Sequence, residues 1–203
     1  GNFTTAGGQG ARNISRYASG TWTAFSGTGL DSAANAIAVS GTDIYVGGTF
    51  TSAGTVTANK IAKWNSVANS WSALGTGVPA ANTAINAIAV AGDKVYAGGT
   101  FTNIGGVSAN NIAVWNGTAW AALGTGVNAS VTSIIVKGED VYVGGGFTTA
   151  GGAAANTQAD LRPRQPSSCC PACRLHACHA CHAVRRSARR RSPRSRCASP
   201  RPK

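Results

Sequence analysis

The feature that most constrains this chain is a short phrase of glycine, phenylalanine and threonine that recurs along most of its length. Measured between its phenylalanines, the spacing of the phrase is 47, 51 and 46 residues. Its four copies are Gly1-Asn2-Phe3-Thr4, Gly48-Thr49-Phe50-Thr51, Gly99-Thr100-Phe101-Thr102 and Gly145-Gly146-Phe147-Thr148. Self-similarity with a period of roughly 20–50 residues is typical of proteins built from stacked or ringed structural repeats.

Other landmarks keep the same register in every unit. An aromatic residue stands fourteen positions after each of the first three phenylalanines, a tryptophan follows it, and each unit closes on two glycines. The first aromatics are Tyr17, Trp64 and Trp115, the second are Trp22, Trp71 and Trp120, and the closing glycines are Gly47-Gly48, Gly98-Gly99 and Gly144-Gly145. Chance does not produce this register three times.

Each unit contains four short runs of β-branched and aromatic residues separated by turn residues, which indicates four strands. In the unit after Phe101 these runs are 111–115, 119–123, 131–136 and 141–143. Asn116-Gly117 predicts a type I′ hairpin, in which both central residues have positive φ, and Gly138-Glu139-Asp140 predicts another hairpin turn. Four hairpin-connected strands form one blade of a β-propeller. We therefore predict an all-β chain of four-stranded antiparallel β-propeller blades, about three and a fraction in number.

Composition divides the chain into two unlike parts. Residues 1–156 carry all 27 glycines and all five tryptophans, with six Lys/Arg against five Asp/Glu, a net charge of +1. Residues 157–203 carry all six cysteines and all three histidines, with twelve Lys/Arg against one Asp, a net charge of +11. The sequence thus predicts a partial propeller over 1–156 and an Arg/Cys/Pro/Ser-rich tail over 157–203, and the basic charge belongs to the tail.

The repeats resemble those of kelch-type proteins, which share a strand ending in two glycines followed by a pair of aromatic residues. The phrases Gly-Gly-Thr-Phe-Thr (47–51) and Trp-Ser-Ala-Leu-Gly-Thr-Gly (71–77) are most similar to kelch-related repeats of bacterial secreted and cell-surface proteins. The resemblance covers residues 1–156 and implies the propeller fold and an extracellular or cell-surface location. It implies no particular activity, because propellers host enzymes, adhesins and scaffolds alike.

Two groups of residues in the repeats are candidates for a binding site. The carboxylates Asp43, Asp93, Glu139 and Asp140 fall at the same turn of successive units and could bind a cation or a sugar, but such residues are ordinary in turns. The tryptophans could line a carbohydrate surface, but their regular recurrence favours packing between blades. The repeats contain no His and no Cys, so we predict no catalytic residues, no metal and no cofactor.

The tail contains three apparent motifs that its composition argues against. Cys178-His179-Ala180-Cys181-His182 matches a haem-attachment pattern, Cys170 and Cys173 with His176 suggest zinc, and 185–196 resembles a nucleic-acid-binding arm. The tail has no aromatic residue and almost no large aliphatic one, so it cannot surround a cofactor and is predicted to be disordered. A change of reading frame near Asn156 is our preferred explanation, since the fourth unit begins properly and then loses its pattern.

We expect a non-catalytic interaction or adhesion module that binds a protein or a glycan, taken from a longer secreted or cell-surface protein. The alternative is part of a propeller enzyme acting on carbohydrate, with its active site in other blades. Nucleic acid is an unlikely partner because the repeats are nearly neutral, and no apolar run is long enough for a membrane span. Three units cannot close a ring alone, so we also expect the open blade edges to self-associate.

Overall fold

The computed structural model describes residues 1–25, 29–81, 83–155 and 158–160, the last as a backbone strand. Within these ranges every regular element is a strand and none is a helix, which confirms the all-β prediction. It follows that no described residue belongs to a helix of the length and apolarity needed to cross a bilayer. In chain order the strands are β1 (Thr5–Ala6), β2 (Gln9–Gly10), β3 (Ser15–Ala18), β4 (Thr21–Ala24), β5 (Ala34–Ser40), β6 (Asp43–Gly48), β7 (Ser52–Ala53), β8 (Val56–Thr57), β9 (Ile61–Asn65), β10 (Ser70–Ala73), β11 (Ala84–Ala91), β12 (Lys94–Thr100), β13 (Asn103–Ile104), β14 (Val107–Ser108), β15 (Ile112–Trp115), β16 (Trp120–Ala122), β17 (Val131–Lys137), β18 (Asp140–Gly145), β19 (Thr149–Ala150), β20 (Ala153–Ala154) and β21 (Gln158–Asp160).

The longer strands form antiparallel sheets in which sequence neighbours pair. The first sheet has the order β10-β9-β6-β5, the second β11-β12-β15-β16, and the third, as far as it is described, β17-β18-β21. A two-stranded sheet, β3–β4, precedes them. Four short hairpins accompany these sheets. The first, β1–β2, lies just ahead of β3. The other three lie between the second and third strands of successive sheets and are β7–β8, β13–β14 and β19–β20. The predicted four-stranded antiparallel organisation is confirmed for the first two sheets.

The four strands of one sequence unit, however, do not lie in one sheet. The runs at 111–115 and 119–123 correspond to β15 and β16 of the second sheet, whereas those at 131–136 and 141–143 belong to the third. The reason is pairing across the Phe101 phrase, since β12 pairs with β15 and places Gly98 opposite Ile112. Each sheet is therefore offset from the sequence repeat by half a unit.

The type I′ turn predicted at Asn116-Gly117 is wrong, although a hairpin forms there. Gly117 has a φ of 98°, but Asn116 is not among the residues with positive φ. Instead, Asn116 Oδ1 accepts hydrogen bonds from the backbone N–H groups of Thr118 and Ala119 at 3.0 and 2.8 Å. The asparagine side chain closes a local turn that sequence cannot distinguish from a type I′ turn, because asparagine suits both.

Positive φ at both central residues occurs instead between β3 and β4, where Ser19 and Gly20 have φ of 50° and 79°. The hairpin predicted at Gly138 is confirmed, because Lys137 pairs with Asp140 around a two-residue loop. Only the first loop residue, Gly138, has positive φ there, which is the pattern of a type II′ turn.

The first glycine of each closing pair leaves room for the next sheet. A Cβ on Gly47 would lie 2.4 Å from Cγ2 of Ile85, and one on Gly98 would lie 2.4 Å from Cγ1 of Val131. Neither glycine has a left-handed φ, so space and not backbone conformation demands glycine here. The first strand of each sheet thus packs directly on the backbone of the second strand of the sheet before it.

The second glycine of each pair is required by the sheet to which it belongs. A Cβ on Gly48 would lie 2.0 Å from the carbonyl oxygen of Ala33. At this point the pairing of β5 with β6 shifts register, so that β5 carries a bulge. Gly99 and Gly145 meet the same obstruction at 1.9 and 2.1 Å, beside equivalent register shifts. The bulge brings backbone too close to backbone for any side chain.

The hydrophobic core is a series of layers between successive sheets. One layer joins β3–β4 to the first sheet, a second joins the first sheet to the second, and a third joins the second to the third. Ile61 of β9 and Ile85 of β11, for example, lie in the same layer and are both fully buried. Three of the four phenylalanines of the repeated phrase are also buried, Phe101 almost completely and Phe50 and Phe147 completely, whereas Phe3 is half-buried. Each layer is formed by two sheets, so each sheet depends on its neighbours.

Backbone pairing extends slightly past the predicted start of the tail. Gln158–Asp160 form β21, which pairs with β18 and places Gln158 opposite Gly144. The described strands belong to one compact unit. Residues 161–203 lie outside the described residues, so the predicted disorder of the tail and its boundary remain predictions.

At one position of the repeat the backbone is left-handed in all three units, but only two of the units have the asparagine that this conformation favours. Asn13, Lys60 and Asn111 are equivalent and have φ of 63°, 68° and 62°, a region that asparagine tolerates better than other non-glycine residues. Asn111 Nδ2 donates to the carbonyl oxygen of Val127 at 2.9 Å, and its Oδ1 accepts from the N–H of Phe101 at 3.1 Å. Lys60 has no amide group for these bonds, although it is only 6% exposed.

We predict that Gly98→Ala destabilises the protein by about 1–3 kcal/mol, because the added methyl group overpacks the contact with Val131. Gly10→Ala is the matched control, since Gly10 has no left-handed φ and a Cβ there would meet nothing within 4 Å. Urea unfolding of both variants measures the difference. Equal stabilities would contradict the assignment of the glycine to sheet packing.

We predict that Lys60→Asn stabilises the protein by about 0.5–1.5 kcal/mol, because asparagine relieves the left-handed strain and supplies the two hydrogen bonds of its equivalents. The reciprocal change Asn111→Lys is expected to destabilise by a similar amount. Thermal unfolding of the two variants tests both signs. A loss of stability in Lys60→Asn would show that the lysine makes a compensating interaction.

Candidate functional site

The four carboxylates singled out in the sequence occupy two steps of one recurring turn. Asp43 and Asp140 are the first residues of β6 and β18, whereas Asp93 and Glu139 stand one step earlier, in the loops. Among the residues that the structure describes, no three His, Cys, Asp or Glu side chains come close enough together to hold a metal ion. The first two copies of the turn therefore present one carboxylate each, and the third presents two.

The carboxylate of Asp43 is bound to the neighbouring strand. Its Oδ2 lies 3.2 Å from Nζ of Lys63, and its Oδ1 accepts a 2.6 Å hydrogen bond from Nδ2 of Asn65. Partial burial raises the pKa of the nearby Tyr45, and the negative charge of Asp43 raises it further while Lys63 opposes the change. The contacts with Lys63 and Asn65 join the two central strands β6 and β9 and occupy the carboxylate.

A second polar position, not identified from the sequence, holds the short hairpins in place. Asp31 Oδ1 accepts hydrogen bonds from the N–H groups of Thr51 and Ser52 at 2.8 and 3.0 Å. Its Oδ2 accepts a further 2.5 Å bond from the Thr51 hydroxyl. Asn128 makes the equivalent bonds to residues 148 and 149. The sequence signal for this position is an Asp or Asn two residues after Gly-Thr-Gly. The first and third units have Asp31 and Asn128 there, whereas the middle unit has Pro79.

The hydrogen bonds at Asp31 determine its ionisation. Burial alone would raise the pKa of Asp31, but the donors on Thr51 and Ser52 stabilise the carboxylate more strongly and leave the pKa below its usual value. A carboxylate with a lowered pKa is a weak base at neutral pH. Its role is to tie the loop between β4 and β5 to the start of the β7–β8 hairpin.

Three of the four tryptophans in the complete sheets, Trp64, Trp71 and Trp120, are buried between sheets, as their recurrence favoured, and Trp115 is partly buried. Trp120 is 5% exposed and donates a 2.8 Å hydrogen bond from Nε1 to the carbonyl oxygen of Leu74 in the preceding sheet. Trp71 contacts Phe25 at a ring-centroid distance of 5.5 Å, although its buried Nε1 has no hydrogen-bond partner. Each of these rings faces the preceding repeat.

The equivalent aromatic pair of the β3–β4 hairpin has no sheet packed over it within the described residues. Tyr17 and Trp22 contact each other with ring centroids 5.1 Å apart, yet they are 60% and 40% exposed. In the first sheet, Ile37 and Val39 are also exposed, at 56% and 66%. Ile37 is equivalent to Ile134, which is 8% exposed and packs near Gly98 of the sheet before it. We call Tyr17, Trp22, Ile37 and Val39 the upstream face.

A second uncovered face lies at the other end of the repeats. Ile135 and Tyr142 are opposite each other on β17 and β18 and are 63% and 42% exposed. Their equivalents Ala89 and Tyr96 pack in the layer between the second and third sheets. We call Ile135 and Tyr142 the downstream face. The two faces are the two sides of the inter-sheet contact that recurs within the chain.

Two clefts adjoin the β3–β4 hairpin. The larger, of about 400 Å³, is lined mainly by Thr4, Ala11, Arg12, Ile14, Phe25 and Gly29. The smaller, of about 110 Å³, lies beside Arg16 and Thr23 of the hairpin and Trp64 and Asn69 of the first sheet. The clefts and the upstream face together give the β3–β4 region a concave, aromatic surface that is open to solvent.

The motifs of the tail lie outside the described residues. This applies to the Cys/His patterns between Cys170 and His182 and to the arginine-rich stretch 185–196. The structure therefore brings none of them to the candidate site.

We predict that Asp31→Asn leaves stability at pH 7 within about 1 kcal/mol of the wild type, because Asn128 shows that an amide makes the same bonds. The carboxylate has a lowered folded-state pKa, so its extra contribution is present above the unfolded pKa of about 3.9 and is lost as pH falls through the folded value. Urea unfolding from pH 6 to pH 2.5 is thus expected to fall less steeply for Asp31→Asn. Asn128→Asp is the reciprocal variant and is expected to fall more steeply. Parallel curves for all three proteins would contradict this role.

Comparison with known proteins identifies no family. No protein-family model matches the chain, and no curated protein does. Among solved structures the chain is similar to the computationally designed Ika4 protein, with 18% identity over 59% of this chain and 89% of that one and a TM-score of 0.35. It is also similar to the computationally designed Ika8 protein, with 16% identity over 56% of this chain and 43% of that one and a TM-score of 0.31. These scores are too low to support any conclusion.

Proposed function

We propose that the repeat region is a kelch-like partial β-propeller that acts as a non-catalytic binding module. The support for the propeller is the recurrence of four-stranded antiparallel sheets that pack face to face through a glycine of each closing pair. The support for the kelch-like type is the combination of closing glycines and paired aromatics in each unit. The secreted or cell-surface location rests on the same resemblance.

The observation that carries the proposed function is the exposure of the Tyr17–Trp22 pair. The equivalent Trp64 and Trp71 are 5% and 8% exposed, while Tyr17 and Trp22 present their rings to solvent. Aromatic rings with a polar edge are the side chains most enriched at protein interfaces, because they supply large contact area with little entropy to lose. Exposed apolar side chains grouped on one face mark a binding surface.

The chemistry of the described polar groups favours binding over catalysis. Asp31 and Asp43 both hold neighbouring strands through hydrogen bonds, and the hydrogen bonds at Asp31 lower the pKa of its carboxylate. A general acid or base needs the opposite, a pKa shifted toward neutrality and a free path to the substrate. The near-neutral charge of residues 1–156 further favours a protein or glycan ligand over nucleic acid.

The test is binding of the full chain to a panel of immobilised glycans and proteins, compared with the double variant Tyr17→Ser/Trp22→Ser. We expect at least one ligand to bind and remain chemically intact, and to lose about tenfold or more in affinity in the double variant. Val67→Ser is the control, because Val67 is 80% exposed, lies in the turn between β9 and β10 and is not part of the aromatic pair. Affinity that is unchanged in the double variant would rule out this face, and cleavage of the bound glycan would show an enzyme.

A further inference from the structure

The described repeats begin and end on complementary parts of one sheet. β3–β4 corresponds to the outer pair of a complete sheet, because Tyr17 pairs with Trp22 as Trp64 pairs with Trp71. β17–β18 corresponds to the inner pair, because it repeats the bulged register of β5–β6 and β11–β12. An outer pair and an inner pair together would make one more four-stranded sheet.

The free edge of the outer pair is the edge that an inner pair normally occupies. In the complete sheets, β9 and β15 pair on this edge with β6 and β12. Within the described part of the chain, β3 pairs only with β4. Its backbone groups along this edge are therefore available to a further strand.

The matching edge, on β18, is occupied by β21, whose sequence has glutamine where the complete sheets have isoleucine. β21 places Gln158 opposite Gly144, whereas the complete sheets place Ile61 opposite Gly47 and Ile112 opposite Gly98. Ile61 and Ile112 are fully buried, and a position of that kind favours an aliphatic residue over an amide. The residue at this step of the first unit is Ile14, just ahead of β3.

The uncovered faces match in the same arrangement. An inner pair placed beside β3–β4 would lie over Ile37 and Val39, as β11–β12 lies over Ile134 of the third sheet. The side chains it would bring to that contact are Ile135 and Tyr142 of the downstream face. Both exposed faces would then be buried by the inter-sheet contact that the chain already makes twice.

We propose that a second copy of this chain is the partner of the exposed β3–β4 region, an inference that builds on the proposed binding function. The β17–β18 pair of one copy occupies the inner position beside β3–β4 of the other, with β3 replacing β21 on the edge of β18. Each copy has two complete four-stranded sheets, one outer pair (β3–β4) and one inner pair (β17–β18). Two reciprocal junctions would join the outer pair of each copy to the inner pair of the other and so make two further sheets. The result is a closed dimer of six four-stranded sheets. Six lies within the usual range of roughly four to eight propeller blades.

Sedimentation velocity of the full chain tests the stoichiometry. The protein is kept under a thiol reductant so that its six cysteines cannot cross-link copies. We expect a single species with twice the 20.3 kDa mass of one chain at concentrations from about 1 to 100 µM. A monomer throughout this range would overturn the proposal, and so would growth of the mass with concentration beyond two copies.

Two variants that remove opposite faces test the geometry. Ile37→Glu/Val39→Glu changes the upstream face, and Ile135→Glu/Tyr142→Glu changes the downstream face; all four side chains are well exposed within one chain. Each variant alone is expected to sediment as a monomer, because both junctions of its dimer contain a charged face. An equimolar mixture is expected to form a one-to-one dimer, because one junction then has two unchanged faces. Val67→Glu is the control and is expected to remain a dimer.

The outcomes separate this proposal from others. A downstream variant that still dimerises alone would show a contact between two upstream faces, and a mixture that stays monomeric would show that the faces do not join head to tail; either result overturns the proposal. Circular dichroism of each variant confirms that it retains its strands. If the wild-type chain is monomeric but the Tyr17→Ser/Trp22→Ser variant still loses a ligand, this inference fails and the proposed function stands.

Discussion

The contact on which the structure depends is the packing of one strand directly on the backbone of the preceding sheet. Ile85 occupies the space where a side chain on Gly47 would be, and Val131 does the same at Gly98. The close approach brings the aliphatic and aromatic side chains of successive sheets into one buried layer. Stability is therefore distributed over nearest-neighbour contacts between sheets, as in other repeat proteins.

A fold held by neighbour contacts has a consequence at the ends of the series. Trp64 and Trp71 are buried because a preceding repeat covers them, whereas Tyr17 and Trp22 have the same local structure and are exposed. Ile135 and Tyr142 show the same difference at the other end. The surfaces that suit binding are thus ordinary core positions without a covering sheet, and this is why they suit a partner that resembles a repeat.

Sequence reasoning predicted the all-β class, the longer strands and one of the two named turns, because these depend on residues close in the chain. It assigned the four strands of one sequence unit to one sheet, whereas each observed sheet is offset from that unit by half its length. The reason is that β12 pairs with β15 across a loop that contains the short β13–β14 hairpin. It assigned Asn116 to the wrong turn, because asparagine serves equally through its backbone or its side chain. It also overlooked Asp31, whose partners Thr51 and Ser52 are some twenty residues away.

The sequence by itself determined the repeat, the position of its glycines and aromatics, and the separation of the basic tail from a nearly neutral body. Local spacing carries this information, because strand alternation and turn chemistry act over a few residues. Only the tertiary structure decided which copies of an identical motif are buried and which are exposed. Burial depends on whether another sheet lies against a residue, and that is a property of the stack of sheets and not of the unit.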